Sequence, residues 1–457
     1  VTSPARRAVQ TVQDAVRSQL WPLPILGVAL AVALGILVPL LDVTADDQLP
    51  AALDALIFNG DPGAARTVLS AVASSLITVT SLTFSLTVVT LQLASSQFSP
   101  RLLRTFTQDL FVQATLSIFL ATFTFSLTVL RSVRSAEEGG TAFVPRLAVT
   151  MAFLLALTSV VSLVLFLAHL ARQIRVETML LQVHDDAVGT MKTNLIRRHD
   201  PDAARPVPEQ PTTATVLLAS GSGFLTSLDQ EKLVKTATDT DTIVSIDRDP
   251  GSFVVQGTPL GHIWPRDNRP LDPEDIDRLR DRVTAAVHLG PERTAAQDVA
   301  YGLRQITDIV NRALSPGIND PTTAIHGLGQ TASLLAKLTA YHLGPLVVDD
   351  PDGDPRVLLH RPGFPELLEL AIAQPRAYGK SDPQVLGRLY QLLADLTWHV
   401  HDDQRGPVLD HIRRLDETVA DQDFDEAEKQ QLAELSRSVR QGLSEHKQRA
   451  ELRQGGR

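Results

Sequence analysis

The chain has 457 residues, a formal net charge of -10 and 44% hydrophobic residues, with no cysteine. The missing thiols exclude disulfides, thiolate metal sites and cysteine catalysis. Residues 1–170 hold nine basic and nine acidic residues, whereas the remaining 287 hold 33 and 43, so the whole negative excess sits in the second part. Such an acidic module argues against a nucleic-acid partner and is repelled by anionic lipid except at a basic neck.

Residues 1–20 form a short N-terminal segment with Arg6, Arg7 and Arg17. Residues 21–41 follow without Asp, Glu, Lys or Arg, as do 110–130 and 147–168. Each run matches the ~20 residues needed to cross ~30 Å of hydrocarbon. The first run is longer than a signal-peptide core and no small-x-small cleavage site follows it, so it is expected to remain as an anchor.

The second span is the unusual one. Residues 67–100 contain no charge, yet fourteen of these 34 residues are Ser or Thr. At 100° per residue, Ser74, Thr78, Ser81, Ser85 and Gln92 fall within an arc of about 80°. Thr80, Thr83, Thr87 and Thr90 form a second stripe on the opposite side. One stripe is explained by close helix packing and bonds to the helix's own carbonyls. The other is expected to line a water-accessible path for an ion or small solute in a homo-oligomer, with Arg101 and Arg104 at its cytoplasmic mouth. Packing alone stands as the alternative for both stripes.

Four spans in residues 21–170 therefore make a transmembrane helical domain. Residues 1–20, 94–109 and 171–200 together carry ten Lys and Arg, against four in 42–66 and 131–146. This asymmetry places both termini in the cytoplasm of a multi-pass bacterial inner-membrane protein in contact with the lipid bilayer.

Residues 171–200 continue the fourth span with apolar residues at helical spacing and no proline, which predicts a stalk within one helix of some 50 residues. Pro201, Pro206, Pro208 and Pro211 mark a linker. Residues 201–270 then change to alternating, β-branched patterns, a small β-rich module around a helix at 230–238. Gly251–Gly261 resembles the turn-and-strand pattern of lipoyl-like barrel-sandwich modules. No lysine stands at a hairpin tip there, so no attached cofactor is expected.

Residues 271–457 read as a helical cytoplasmic domain with a charged tail, helices running over about 272–289, 294–314, 321–341, 364–375, 383–402, 407–421 and 425–450. Asp320-Pro321 is an N-cap followed by proline at the first helical position, and Gly317 is expected to supply a positive φ in the preceding turn. The overall expectation is an α-helical integral membrane protein with a mostly helical α+β cytoplasmic domain.

Three segments carry a more specific likeness: Ala94-Ser-Ser-Gln-Phe-Ser-Pro-Arg-Leu-Leu-Arg104, Gln297-Asp-Val-Ala-Tyr-Gly-Leu-Arg-Gln-Ile-Thr-Asp308 and Ala313-Leu-Ser-Pro-Gly-Ile-Asn-Asp-Pro-Thr-Thr-Ala324. They resemble a family of bacterial predicted membrane proteins of unknown function, from the first span to about residue 400. The resemblance implies the same layout of spans plus cytoplasmic domain and brings no activity with it.

Enzyme motifs are missing: there is no Gly-x-Ser-x-Gly elbow, Gly-x4-Gly-Lys-Ser/Thr loop or His-Glu-x-x-His. His399 and His401 are two apart and diverge by about 200° on a helix, which disfavours a metal site. Arg304, Asp308 and Arg312 recur at i,i+4 and read as an ion-pair ladder. Arg304, Asp308, Asn319 and Asp320 are the candidates for a ligand or subunit contact.

Overall fold

The computed structural model describes residues 21–45, 57–97, 109–135, 143–173, 175–200 and 205–454. They fall into two compact units, residues 1–175 and 176–457. The first holds four helices long and apolar enough to cross a membrane: α1 (Pro22–Ala45), α2 (Pro62–Gln97), α3 (Leu110–Leu130) and α4 (Arg146–Gln173). Their order and lengths follow the uncharged runs of the sequence.

Helix α3 is the centre of this unit, packed against the other three. Against α1, small residues permit close approach, because a Cβ on Gly35 would stand 2.7 Å from the Thr128 Cβ. Nearer the start of α1 the Ser117 hydroxyl donates to the Leu23 carbonyl at 3.1 Å. Against α4, the buried hydroxyls of Thr122 and Ser159 meet at 3.2 Å. The apolar core between the helices is built from Leu69, Phe125, Val129 and Val149. Buried Asp42 near the end of α1 accepts from the Leu147 and Ala148 amides at 3.0 and 3.2 Å, satisfying donors that the first turn of α4 leaves open.

The continuous 50-residue helix is not what forms. Helix α4 ends at Gln173 and α5 spans Val176–Asn194. No Gly or Pro marks the break, but the charges do: Arg172 occupies the last turn of α4 and Glu177 the first turn of α5, each matched to its helix dipole. The apolar spacing that suggested a stalk is a packing face, since Met179, Leu180, Val183, Ala187 and Met191 are buried.

In the second unit, α5 packs against α8 (Tyr301–Ala313) and α9 (Pro321–Leu338). Gly302 allows the approach, because a Cβ there would collide with Ala187. Helices α10 (Phe364–Tyr378), α11 (Pro383–Thr397), α12 (Arg405–Ala420) and α13 (Glu426–Gln454) complete the helical layer. Buried Tyr390 of α11 donates to Asp416 of α12 at 2.7 Å, and Arg440 of α13 reaches the other Asp416 oxygen at 2.6 Å.

The β-rich part extends beyond residues 201–270. Strands β1 (Thr215–Leu218), β3 (Thr242–Ile246) and β5 (Pro259–Pro265) share a five-stranded sheet with β7 (Leu346–Asp349) and β8 (Pro355–Leu359), in the order β1-β5-β3-β8-β7. The β3–β8 pairing is parallel, with Val244 opposite Val357. A smaller sheet has the order β4-β2-β6, with β2 at Gly223–Leu228, β4 at Phe253–Val254 and β6 at Val287–Gly290. Helices α6 (Gln230–Asp239) and α7 (Pro273–Thr284) help close their common core of Leu225, Leu233, Val244, Ile263 and Leu279.

Helix α7 stops five residues before the expected Leu289 because the chain turns into β6, and α8 starts at Tyr301, not Thr294. The residues just before α8 are occupied otherwise. The Gln297 side chain bonds both ways to the Leu228 backbone, at 2.8 and 3.0 Å, and buried Asp298 pairs with Arg293 and accepts from the Ala300 amide at 3.1 Å.

Candidate functional site

Helix α2 buries one hydroxyl stripe and exposes the other. Thr80, Thr83, Thr87 and Thr90 are buried with Leu76 against the rest of the first unit. Three of them turn their hydroxyls back on the helix, donating to the carbonyls of Leu76, Thr83 and Leu86 at 2.6, 2.8 and 2.9 Å. This removes the need for a polar partner across the interface at those three positions, so they can pack against apolar neighbours, whereas the buried Thr83 hydroxyl has no hydrogen-bond partner among the described residues.

Ser74, Thr78, Ser81, Ser85 and Gln92 are all exposed, on the opposite face. Ser74 and Thr78 also bond back, to the Ser70 and Ser74 carbonyls. Ser81, Ser85 and Gln92 make no side-chain hydrogen bond among the described residues. From Ser74 to Gln92 the stripe rises roughly 27 Å, close to the full hydrocarbon thickness. Exposed Leu82 and Phe84, at 67% and 55%, flank it with surface suited to lipid. Arg101 and Arg104 lie outside the described residues.

The other candidate set is spread along α8, from Arg304 near its start through mid-helix Asp308, and into the turn after it. Arg304 and Asp308 are half-buried and Arg312 exposed, on the one stripe of the helix that is not buried. Arg304 lies close enough to Asp298 to favour its charge, although burial dominates and holds that carboxyl above its usual range. Asn319 and Asp320 belong to the turn beyond the other end, roughly 13 Å along the helix. There the Asp320 amide donates to the Ala313 carbonyl at 2.8 Å, and its carboxylate accepts from the Thr323 amide at 3.0 Å. Contacts to Thr323 hold the Asp320 carboxyl below its ordinary range. The positive φ of this turn, 51°, falls on Asn319 and not on Gly317. Asn tolerates that region because its short side chain bonds locally.

A polar group missed in the sequence joins the start of α3 to the end of α4. Asp109 caps α3 through the Phe111 amide at 2.8 Å, while its other oxygen meets His169 Nε2 at 2.6 Å and accepts from Gln173 at 2.7 Å. His169 also packs on the Phe111 ring, 4.7 Å between centroids. The available signal was topological: antiparallel neighbours of similar length bring the first residue before one span beside the last turn of the other.

The second unit contains a cleft of about 750 Å3, lined by residues of α5 and α9 and by the C-terminal end of α11. Lys192, Arg197, Lys337, Ser333, Asp395 and Trp398 form its polar and aromatic walls. In the sequence Lys192 and Arg197 count only toward the basic flank of residues 171–200, and nothing groups them with Lys337 or Trp398. His399 also lines the cleft, whereas His401 bonds Gln404 and Asp403 pairs with Arg198.

Comparison with known proteins finds relatives without an assigned activity. The uncharacterized protein Rv1290c of Mycobacterium tuberculosis is 36% identical over 400 residues, covering 87% of this chain and 75% of the relative. The uncharacterized protein Mb1321c of Mycobacterium bovis is similar to the same extent. No solved structure matches. The match of residues 17–395 to the family described as Predicted membrane protein (DUF2254), over the spans and most of the second unit, shows that the chain belongs to that family.

Proposed function

We propose that the protein is a homo-oligomer of the bacterial inner membrane, with both termini cytoplasmic, whose second spans together line a path for an ion or small solute. The carrying observation is the exposed stripe of Ser74, Thr78, Ser81, Ser85 and Gln92, directed away from the buried face of its own subunit. A hydroxyl or amide turned to hydrocarbon without a partner is unfavourable, whereas facing water or matching groups on other copies satisfies it. The length of the stripe suits a route through the bilayer, and its neutral hydroxyls suit weak, repeated contacts with a permeating species. Arg101 and Arg104 would stand at the cytoplasmic mouth, and the acidic second unit would gate or assemble the pore. This is a non-enzymatic role.

Planar-bilayer recording of purified protein, with its oligomeric state measured alongside, tests the reading. Conductance that Ser81→Leu abolishes while the oligomer persists supports a path, because an apolar constriction dewets a narrow pore. A stable oligomer without conductance overturns it. The surviving reading would then be a membrane-anchored scaffold or sensor acting through its cytoplasmic helices, which the cleft in the second unit favours.

A further inference from the structure

The cleft is formed where chain segments distant in sequence are held together. Arg197 and Tyr341 form an antiparallel bridge, supported by the Arg198 amide donating to Ala340 at 3.0 Å and the His342 amide donating to Ile196 at 2.9 Å. This pairing closes one end. Along the floor, Gly329, Ala332, Ser333 and Ala336 recur on one face of α9 and keep the space open with small side chains. Its volume of about 750 Å3 falls in the ordinary range for small-molecule sites.

Its charge runs against that of the surrounding unit. Lys192, Arg197 and Lys337 line the cleft, and none of them has an acidic partner among the described residues. Several arginines elsewhere in this acid-rich unit are matched: Arg356 with Asp350 and Asp241, Arg413 with Asp410 and Glu417, Arg414 with Glu369. The one carboxylate on the cleft wall, Asp395, lies 3.4 Å from Arg388 and is partly neutralised. Lys337 is held by the Ser333 hydroxyl at 3.1 Å, which also lies 3.1 Å from His184 Nε2. The Ser333 contact orients the ammonium without cancelling its charge.

The remaining walls are aromatic. Trp398, at the end of α11, is 63% exposed, an uncommon placement for so large an apolar surface. Arg197 stacks over the Tyr341 ring with its guanidinium carbon 4.6 Å from the centroid, leaving its N–H edge available for two oxygens of a phosphate. Three cations beside an exposed indole complement a ligand that carries both phosphate and a flat aromatic ring.

We propose that this cleft is a binding site for a nucleotide, with Lys192, Arg197 and Lys337 receiving its phosphate groups and Trp398 stacking on its base. The site is independent of the proposed membrane path.

Calorimetric titration of the full-length protein in detergent with AMP, ATP and GTP tests the assignment, with inorganic phosphate and short-chain phosphatidylglycerol as comparison probes. Saturable nucleotide binding is expected, weakening with added salt. Lys192→Gln and Lys337→Gln should each reduce affinity about tenfold, as for loss of one charged hydrogen bond. Trp398→Ala should reduce nucleotide affinity and leave phosphate affinity unchanged. All three side chains are exposed, so the variants should retain the fold, which circular dichroism and gel filtration verify. Absence of saturable nucleotide binding, or binding unaltered in both lysine variants, overturns the proposal. It is equally overturned if phosphate binds as tightly as the nucleotides, since the aromatic wall would contribute nothing, or if only the lipid binds.

Discussion

Thr80 and Ser81 are adjacent in the second span, yet Thr80 is 9% exposed with its hydroxyl bonded to the Leu76 carbonyl, and Ser81, about 100° further round the helix, is exposed without a hydrogen bond among the described residues. Two consecutive hydroxyls thus meet different demands. The buried one is satisfied within the helix and contributes shape. The exposed one is left for another copy of the chain, water or a solute, and this asymmetry carries the functional reading.

The asymmetry gives a direct accessibility pattern. The chain has no cysteine, so single cysteines at Ser81 and Ser85 are unambiguous reporters. They should react with small hydrophilic thiol reagents, whereas cysteines at Thr80, Thr87 and the lipid-suited Leu82 should not. Equal protection at all five positions would remove the water-filled path. Strong reaction at Thr80 would contradict the burial of that face.

Orientation rests on the Lys and Arg asymmetry of the flanks. In intact cells, a membrane-impermeant thiol reagent should label a cysteine at Asp47 and spare one at Ser99. The opposite labelling would reverse the membrane orientation, move the second unit outside and remove any role in the cytoplasm.

The membrane helices were legible because an uncharged run of bilayer length has few alternatives. Which hydroxyl stripe turns inward was not, because both are uncharged and hydroxyl-rich and it is contacts with α3 and α4 that distinguish them. The break between α4 and α5 lacked Gly and Pro and was carried only by Arg172 and Glu177, a weak signal beside continuous apolar spacing. Likewise, β3 joins β8 over more than a hundred residues, a pairing that local alternation at Thr242–Ile246 cannot specify. The cleft shares this origin: Lys192, Arg197 and Lys337 are ordinary surface cations until α5, α9 and the Arg197–Tyr341 bridge bring them together.

The turn before α9 separates a structural role from a functional one. Asp320→Ala removes the cap bond to Thr323 and should destabilise the first turn of α9 by about 0.5–2 kcal/mol. Hydrogen-exchange protection of the Thr322–Ala324 amides should fall roughly two- to thirtyfold. Asn319→Gly should be nearly neutral, while Asn319→Val should be destabilising because a β-branched residue resists a φ of 51°. Unchanged protection in Asp320→Ala together with loss of a cellular activity would make this turn a contact site.

The helical layer should weaken below neutral pH through His411. Its side chain is 4% exposed on α12, with Nε2 3.4 Å from Glu369 of α10 and Nδ1 buried without a hydrogen-bond partner. Burial pushes its pKa down, opposed by Glu369 and assisted by Arg414; Asp410 and Arg376 also face it, with opposite effects. Because the folded pKa lies below the unfolded value of about 6.5, protonation favours the unfolded state. Stability is therefore full above about pH 6.5 and declines as pH falls through the interval down to the folded pKa. The Glu369 carboxyl, held low chiefly by its hydrogen bond with Arg414, makes its contribution at more acidic pH. Hydrogen-exchange protection of the α12 amides, normalised for intrinsic rates, should drop between pH 7.5 and 5.5. In His411→Gln the drop should be smaller, and an identical pH profile in parent and variant would exclude His411 as its source.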